Sequence, residues 1–172
     1  MPRRLEGMRV VITGASSGIG KALVEDLAGQ GAFCLGVARR EAQLRAVISG
    51  LASARHSLAV GDLSREEDCL RVIAEAEERL GGIDTLVCNA GYGLFRTLEA
   101  TTRADWDAIF ATNLHGTLDC IRAALPRMRT QEVRDGWRGQ IVIVSSILGR
   151  RGAPRCGAYC ATKAAQLSVA EA

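Results

Sequence analysis

The sequence predicts a doubly wound α/β domain, a parallel sheet covered by helices on both faces. Three observations carry that expectation. Short continuous apolar runs alternate with longer apolar stripes of helical period, which is how strands buried on both faces read beside their crossover helices. A glycine-rich turn, Thr13–Gly20, lies between the first such run and the first such stripe. The 172 residues, 48% hydrophobic and 24% charged, suit one globular domain with a sizeable core.

In chain order, Met8–Thr13 is the first expected strand, and Ile19, Leu23 and Leu27 form a helical stripe closed by Gly29-Gln30-Gly31. Ala32–Ala38 is a second strand and Glu41–Ile48 a helix. Ser57–Val60 is a third strand, leading to Gly61-Asp62. Ser64-Arg65-Glu66-Glu67 then has capping-box spacing and opens a helix to about Leu80. Ile83–Cys88 is a fourth strand. One long helix is expected from about Arg103 to Met128, with Trp106, Phe110, Thr117, Ile121 and Leu125 along one face. Thr130–Gly139 is polar and reads as a surface loop. Gln140–Ser145 is a fifth, buried strand, and a last helix begins near Gly157. With no repeat, linker or low-complexity segment, residues 1–172 read as a single domain.

Composition excludes several function classes. A net charge of +3, with Lys and Arg dispersed, argues against nucleic acid as a partner. No signal peptide or bilayer-length apolar run is visible. The six cysteines form no CxxC pair and have no His partners at metal spacing, so no metal is expected and a reducing cytoplasm is the economical location.

The glycines between a strand end and a helix start carry chemistry. Gly14, Gly18 and Gly20 let the backbone turn sharply and approach a diphosphate, while Ser16, Ser17 and Ile19 complete a cradle at the first turn of the helix. The second strand ends at Ala38-Arg39-Arg40. An acidic residue there would bind the ribose 2′-hydroxyl of NAD, whereas an arginine offers a donor fork to the 2′-phosphate of NADP. The expectation is therefore NADP(H) rather than NAD(H), with Arg39 the main contact and Arg40 beside it; the bland alternative is two solvated arginines. Asp62, followed by Leu63, could accept from the adenine amino group or serve the cap of the next helix.

Tyr159 and Lys163 lie four positions apart on an expected helix and so share a face. A free phenol gives up its proton only near pH 10, and a neighbouring ammonium favours the phenolate, which makes a usable acid–base at neutral pH. Ser146 falls at the carboxyl end of the fifth strand, the edge where ligands sit in open α/β sheets, and its hydroxyl can hold a carbonyl oxygen. Ser145 should point the other way. Asn113 is a buried amide in need of partners, either a structural link between helix and sheet or support for a water relay to Lys163.

Together these residues resemble the short-chain dehydrogenase/reductase family, in its ordinary oxidoreductase branch. Thr13–Gly20 resembles the family's TGxxxGxG turn, Asn89-Ala90-Gly91 its NAG motif, and Asn113, Ser146, Tyr159 and Lys163 its catalytic tetrad. The resemblance implies a Rossmann-type three-layer sandwich with strand order 3-2-1-4-5 and hydride transfer between the nicotinamide and a carbonyl or secondary alcohol carbon of a small molecule. It implies that Tyr159 is the general acid–base and, with Lys163, joins the cofactor-binding set, that Lys163 binds the nicotinamide ribose, that Ser146 polarises the substrate oxygen and that Asn113 sustains a proton relay. Asn89, Ala90 and Gly91 join the cofactor-binding set, and a homo-oligomer formed through the later helices is expected. The family's strands 6 and 7 have no counterpart, so the chain reads as incomplete at its C-terminus, with one wall of the nicotinamide pocket missing and weak or absent turnover. The contrasting expectation is a nucleotide-binding module or interaction partner without turnover.

Overall fold

The computed structural model describes residues 4–172. Five strands form one parallel sheet in the order β3-β2-β1-β4-β5: β1 Arg9–Thr13, β2 Phe33–Ala38, β3 Ser57–Val60, β4 Thr85–Cys88 and β5 Gln140–Ile143. The order and the doubly wound, Rossmann-type architecture are as expected from the sequence. The central pair is set by β1, where Val10 stands opposite Cys34 on one side and Thr85 on the other.

The helices are α1 Gly18–Gly29, α2 Glu41–Ser49, α3 Glu66–Leu80, α4 Arg103–Phe110, α5 Gly116–Thr130 and α6 Gly157–Glu171. Side chains alternate across β1, which explains two separate cores. Val10 and Ile12 join Val24 of α1 and Leu44 of α2 on one face. Val11 joins Cys69 and Val72 of α3 and Cys120 and Ala124 of α5 on the other. The helix α6 packs on α4 and on the segments beside β5.

The structure corrects four expectations. The long helix is two, joined by a π turn over Ala111–His115, so an extra residue enters the coil and Asn113 is carried inward. Of the expected face Thr117 is buried, but Ile109, Cys120 and Ala124 take the other core positions, leaving Trp106, Phe110, Ile121 and Leu125 half-buried. The Ser64 box does not form: the Ser64 hydroxyl donates to Asp62 Oδ1 at 2.9 Å, and α3 starts after Arg65 without a side-chain cap. The box with both reciprocal bonds is Thr102–Asp105, at the start of α4. Finally, β5 ends at Ile143 rather than Ser145, with Ile141 and Ile143 half-buried and Val142 37% exposed rather than buried.

Candidate active site

The first strand–turn–helix unit holds its turn open. Gly14 has φ +70° and Gly18 φ +55°, backbone that side chains rarely adopt. A Cβ on Gly14 would stand 2.9 Å from the Ala90 Cα, and one on Gly20 would collide with the Gly14 carbonyl, so neither position admits a larger residue. Gly18, by contrast, faces open space. Ser17 is the N-cap of α1 but makes no capping bond, which leaves the first-turn N–H groups without a side-chain acceptor. That donor set and that clearance fit a diphosphate.

Thr13 and Asn89 lock the turn to β4. The Thr13 hydroxyl accepts from the backbone N–H groups of Asn89 at 2.9 Å and Ala90 at 3.0 Å, and the Asn89 Nδ2 donates to the Thr13 carbonyl at 2.9 Å. The side-chain amide of Asn89 is thus engaged with the glycine turn. The role of Thr13 was not foreseen, although a buried hydroxyl between two motifs was a usable signal.

Two clefts meet across the carboxyl ends of β1 and β4. One, of ≈ 340 Å³, runs from the turn to the ends of β2 and β3, where Arg39, Arg40, Asp62 and Leu63 line it. Arg40 donates to the Ser16 and Ser17 hydroxyls at 3.0 and 2.6 Å, while the exposed Arg39 stands 3.8 Å from Asp62. Asp62 Oδ1 is also engaged by the Ser64 backbone at 3.1 Å. The other cleft, of ≈ 750 Å³, is bounded by Gly14, Gly18, Ile19, Ser146, Tyr159 and Lys163. Ala90, Gly91 and Tyr92 line both.

Ser146, Tyr159 and Lys163 therefore converge on one cleft with the glycine turn. The Ser146 hydroxyl accepts from the Leu148 N–H at 3.1 Å, which leaves its own proton to donate. The Ser145 hydroxyl instead donates to the Lys163 carbonyl at 2.9 Å and ties the strand end to α6. Among the described residues the Tyr159 hydroxyl has no partner. The Lys163 Nζ lies 5.8 Å from the centroid of the Tyr159 ring and donates to the Val144 carbonyl at 2.8 Å. Burial pulls the Lys163 ammonium below its ordinary value.

Asn113 stands one layer behind. It is fully buried, with Oδ1 accepting from the Tyr92 N–H at 3.0 Å and Nδ2 donating to the Tyr92 carbonyl at 3.0 Å and the Thr162 hydroxyl at 3.2 Å. Its side chain links the π turn to the loop after β4 and to α6, which satisfies the amide. Its backbone carbonyl accepts from the Gln166 amide at 2.6 Å. Gln166 was not foreseen as part of the site; the available signal was an amide three positions after Lys163, on the same inward face.

Comparison with known proteins shows the family and the fold. Residues 8–172 match the sequence profile of the short chain dehydrogenase family. A short-chain dehydrogenase/reductase of Armillaria gallica is 36% identical over 166 residues, covering 92% of this chain and 60% of that protein. Glucose 1-dehydrogenase of Gluconobacter oxydans is 33% identical over 165 residues, covering 94% and 60%. The chain thus spans 60% of the length of these two relatives. Among solved structures, a short chain dehydrogenase from Burkholderia cenocepacia in complex with NADP superposes with a TM-score of 0.86 at 30% identity, over 97% of this chain and 67% of that one. A glucose/ribitol dehydrogenase-type protein from Brucella melitensis gives 0.88 at 32%, over 98% and 69%.

Proposed function

The chain belongs to the short-chain dehydrogenase family of oxidoreductases, and on that premise we propose that it is an NADP(H)-dependent enzyme acting on a small carbonyl or secondary alcohol substrate. The observation that supports this reading best is the meeting of Ser146, Tyr159 and Lys163 in the cleft that the glycine turn also lines. The nicotinamide, when bound, supplies or accepts the hydride. The chain's own residues do the rest. The turn and the start of α1 hold the diphosphate. Arg39 and Arg40 are the donors for a 2′-phosphate, and a neighbour solved with NADP favours that choice.

Ser146 donates to the substrate oxygen and fixes it beside Tyr159. In the reductive direction the Tyr159 hydroxyl gives its proton to that oxygen; in the oxidative direction the phenolate removes it. The Lys163 ammonium favours the phenolate and reaches the nicotinamide ribose. Asn113 holds the π turn against Tyr92 and α6. The six thiols are all free and buried, which suits a reducing compartment such as the cytoplasm. Among the described residues no helix is long and apolar enough to cross a membrane. A homo-oligomer through the later helices belongs to the same reading, and the half-buried Trp106 and Phe110, whose ring centroids lie 5.9 Å apart, support a contact on the α4–α5 surface.

Steady-state hydride transfer, read as nicotinamide absorbance against a panel of ketones and alcohols with NADPH and NADH, tests the reading. Turnover that is absent in the wild type, or undiminished in Tyr159→Phe, contradicts it. The open rim of the cleft, with Phe95 65% and Ile147 70% exposed, favours a second reading in which this chain binds nucleotide without turnover. NADPH binding with no Tyr159-dependent reaction would select that one.

A further inference from the structure

The ammonium of Lys163 has a partner that the proposed chemistry does not use. Gln166 is 1% exposed, among the largest fully buried side chains, and both ends of its amide are engaged. Its Oε1 accepts from Lys163 Nζ at 2.9 Å. Its Nε2 donates to the Asn113 carbonyl at 2.6 Å and to the Thr117 hydroxyl at 3.2 Å. The Thr117 hydroxyl in turn donates to the same Asn113 carbonyl at 3.0 Å. We propose that Gln166 is a positioning residue of the site: its amide clamps the Lys163 ammonium to the backbone of the π turn and so sets where that charge stands relative to Tyr159.

The donor count supports the assignment. An ammonium has three protons and no acceptor. One goes to the Val144 carbonyl and one to Gln166, which leaves one for the cleft side. Removing either fixed partner would strand a buried charge, and the cost of that is large compared with an ordinary hydrogen bond. Among the described residues no carboxylate forms an ion pair with Lys163. Tyr159, on the same helix, is the titratable group facing it. From the segment after β5 it receives a backbone carbonyl, and across the π turn it meets Asn113 only through Gln166; His115 of that turn is exposed. Among the described residues the neutral amide is thus the one side-chain acceptor holding this charge. Glutamate could accept from Lys163 but could not donate to the Asn113 carbonyl, and an apolar residue could do neither.

The inference rests on the reading of Lys163 as the partner of Tyr159, and its test does not depend on turnover. The chain has two lysines, Lys21 and Lys163, so lysine labelled with ¹³C at Cε gives two resonances, and exposed Lys21 serves as the internal reference. In Gln166→Met the Lys163 titration midpoint should fall by about one pH unit, because the charged form loses an acceptor. In Gln166→Glu it should rise by about as much, because a negative charge is added at the same place. Lys21 should titrate unchanged in both. Should the methionine variant fail to fold, the opposite-signed glutamate variant still decides the matter. Midpoints that stay at the wild-type value, or move the same way in both variants, overturn the proposal. NADPH binding by the wild type, followed by fluorescence, separately reports on the functional reading: a chain that binds no NADPH ends that reading, while the lysine titration still decides what Gln166 does.

Discussion

Both ends of the sheet gather polar side chains, and they use them in opposite ways. At the amino end Asp84 is 4% exposed, and its carboxylate accepts from the Arg9 backbone at 2.9 Å, the Arg9 guanidinium at 2.7 Å and the Arg134 guanidinium at 2.7 Å. Arg9 also donates to the Gly81 carbonyl, and Arg79 to the Leu58 carbonyl and Glu75. A groove of ≈ 680 Å³ opens there among Arg9, Arg79 and Arg134, but those charges are already engaged by the fold. At the carboxyl end, among the described residues, the Tyr159 hydroxyl has no partner, Ser146 accepts without donating, and Gly18 faces open space. A polar group with every valence satisfied holds structure together. One that is fixed in place with a single atom left over is equipped for chemistry.

The sharpest way to break this contrast is Tyr159→Phe. It removes one unpartnered oxygen and no structural bond, so stability and NADPH affinity should stay near wild type. Turnover should fall by about 10²–10⁴-fold, the usual worth of a positioned proton donor. A variant with undiminished turnover would move the acid–base elsewhere.

Asp84→Ala is the opposite experiment. It leaves the largely buried Arg9 guanidinium without its carboxylate, while the half-exposed Arg134 can turn to water; losing one partner of a buried pair costs up to about 3–5 kcal/mol. Urea unfolding should register that loss with little change in NADPH affinity of the folded protein. The pH dependence has a definite sign. Burial acts to raise the Asp84 carboxyl, but the Arg9 bonds and the Arg134 charge outweigh it and hold it below the usual carboxylate range. A depressed folded-state value means that the stabilisation is present above the unfolded value, near pH 4, and is lost as pH falls through the folded value. Wild-type stability should therefore decline in acid more steeply than that of the alanine variant.

Arg39→Ala probes a charge at the carboxyl end whose one ion-pair contact among the described residues is a long one, 3.8 Å to Asp62. A charge-assisted bond to a phosphate contributes about 1.5–3 kcal/mol, so NADPH should bind at least about tenfold more weakly while NADH is unaffected. Equal losses for both cofactors would assign Arg39 to the fold and shift the preference to Arg40, whose guanidinium bonds the Ser16 and Ser17 hydroxyls.

The same contrast explains what the sequence disclosed. Gly14 and Gly20 were legible because geometry excludes other residues there, and the doubly wound class followed from the alternation of apolar runs and helical stripes, while the strand order came from the family resemblance. Ser146, Tyr159 and Lys163 were legible as residue types at informative positions. The π turn was not, because Ala111–His115 carries no glycine, proline or cap to mark it, and the register shift depends on tertiary contacts. Gln166 was hidden for a related reason: a glutamine in a helix reads as exposed until the partners at both ends of its amide are known. Cap spacing misled at Ser64, where the nearby Asp62 carboxylate competes for the hydroxyl.

Thr102→Ala is the smallest of these effects and tests the contrast within the carboxyl half itself. Thr102 starts α4 in a reciprocal box, accepting from the Asp105 N–H at 3.2 Å while its own N–H donates to Asp105 Oδ2 at 3.0 Å. Arg96 adds a further bond to the same carboxylate at 2.7 Å, from the loop that leads out of the cleft. These groups lie near the site in sequence, yet their polar atoms are engaged with one another, as at the amino end. Removing the cap should cost about 1 kcal/mol, a fall of roughly 2–4 °C in Tm for a chain of this size. NADPH affinity and the pH profile of turnover should be unchanged. If affinity falls as much as stability, the loop after β4 is held in its binding position by this box, and the division between structural and functional polar groups runs inside the carboxyl end rather than between the two ends.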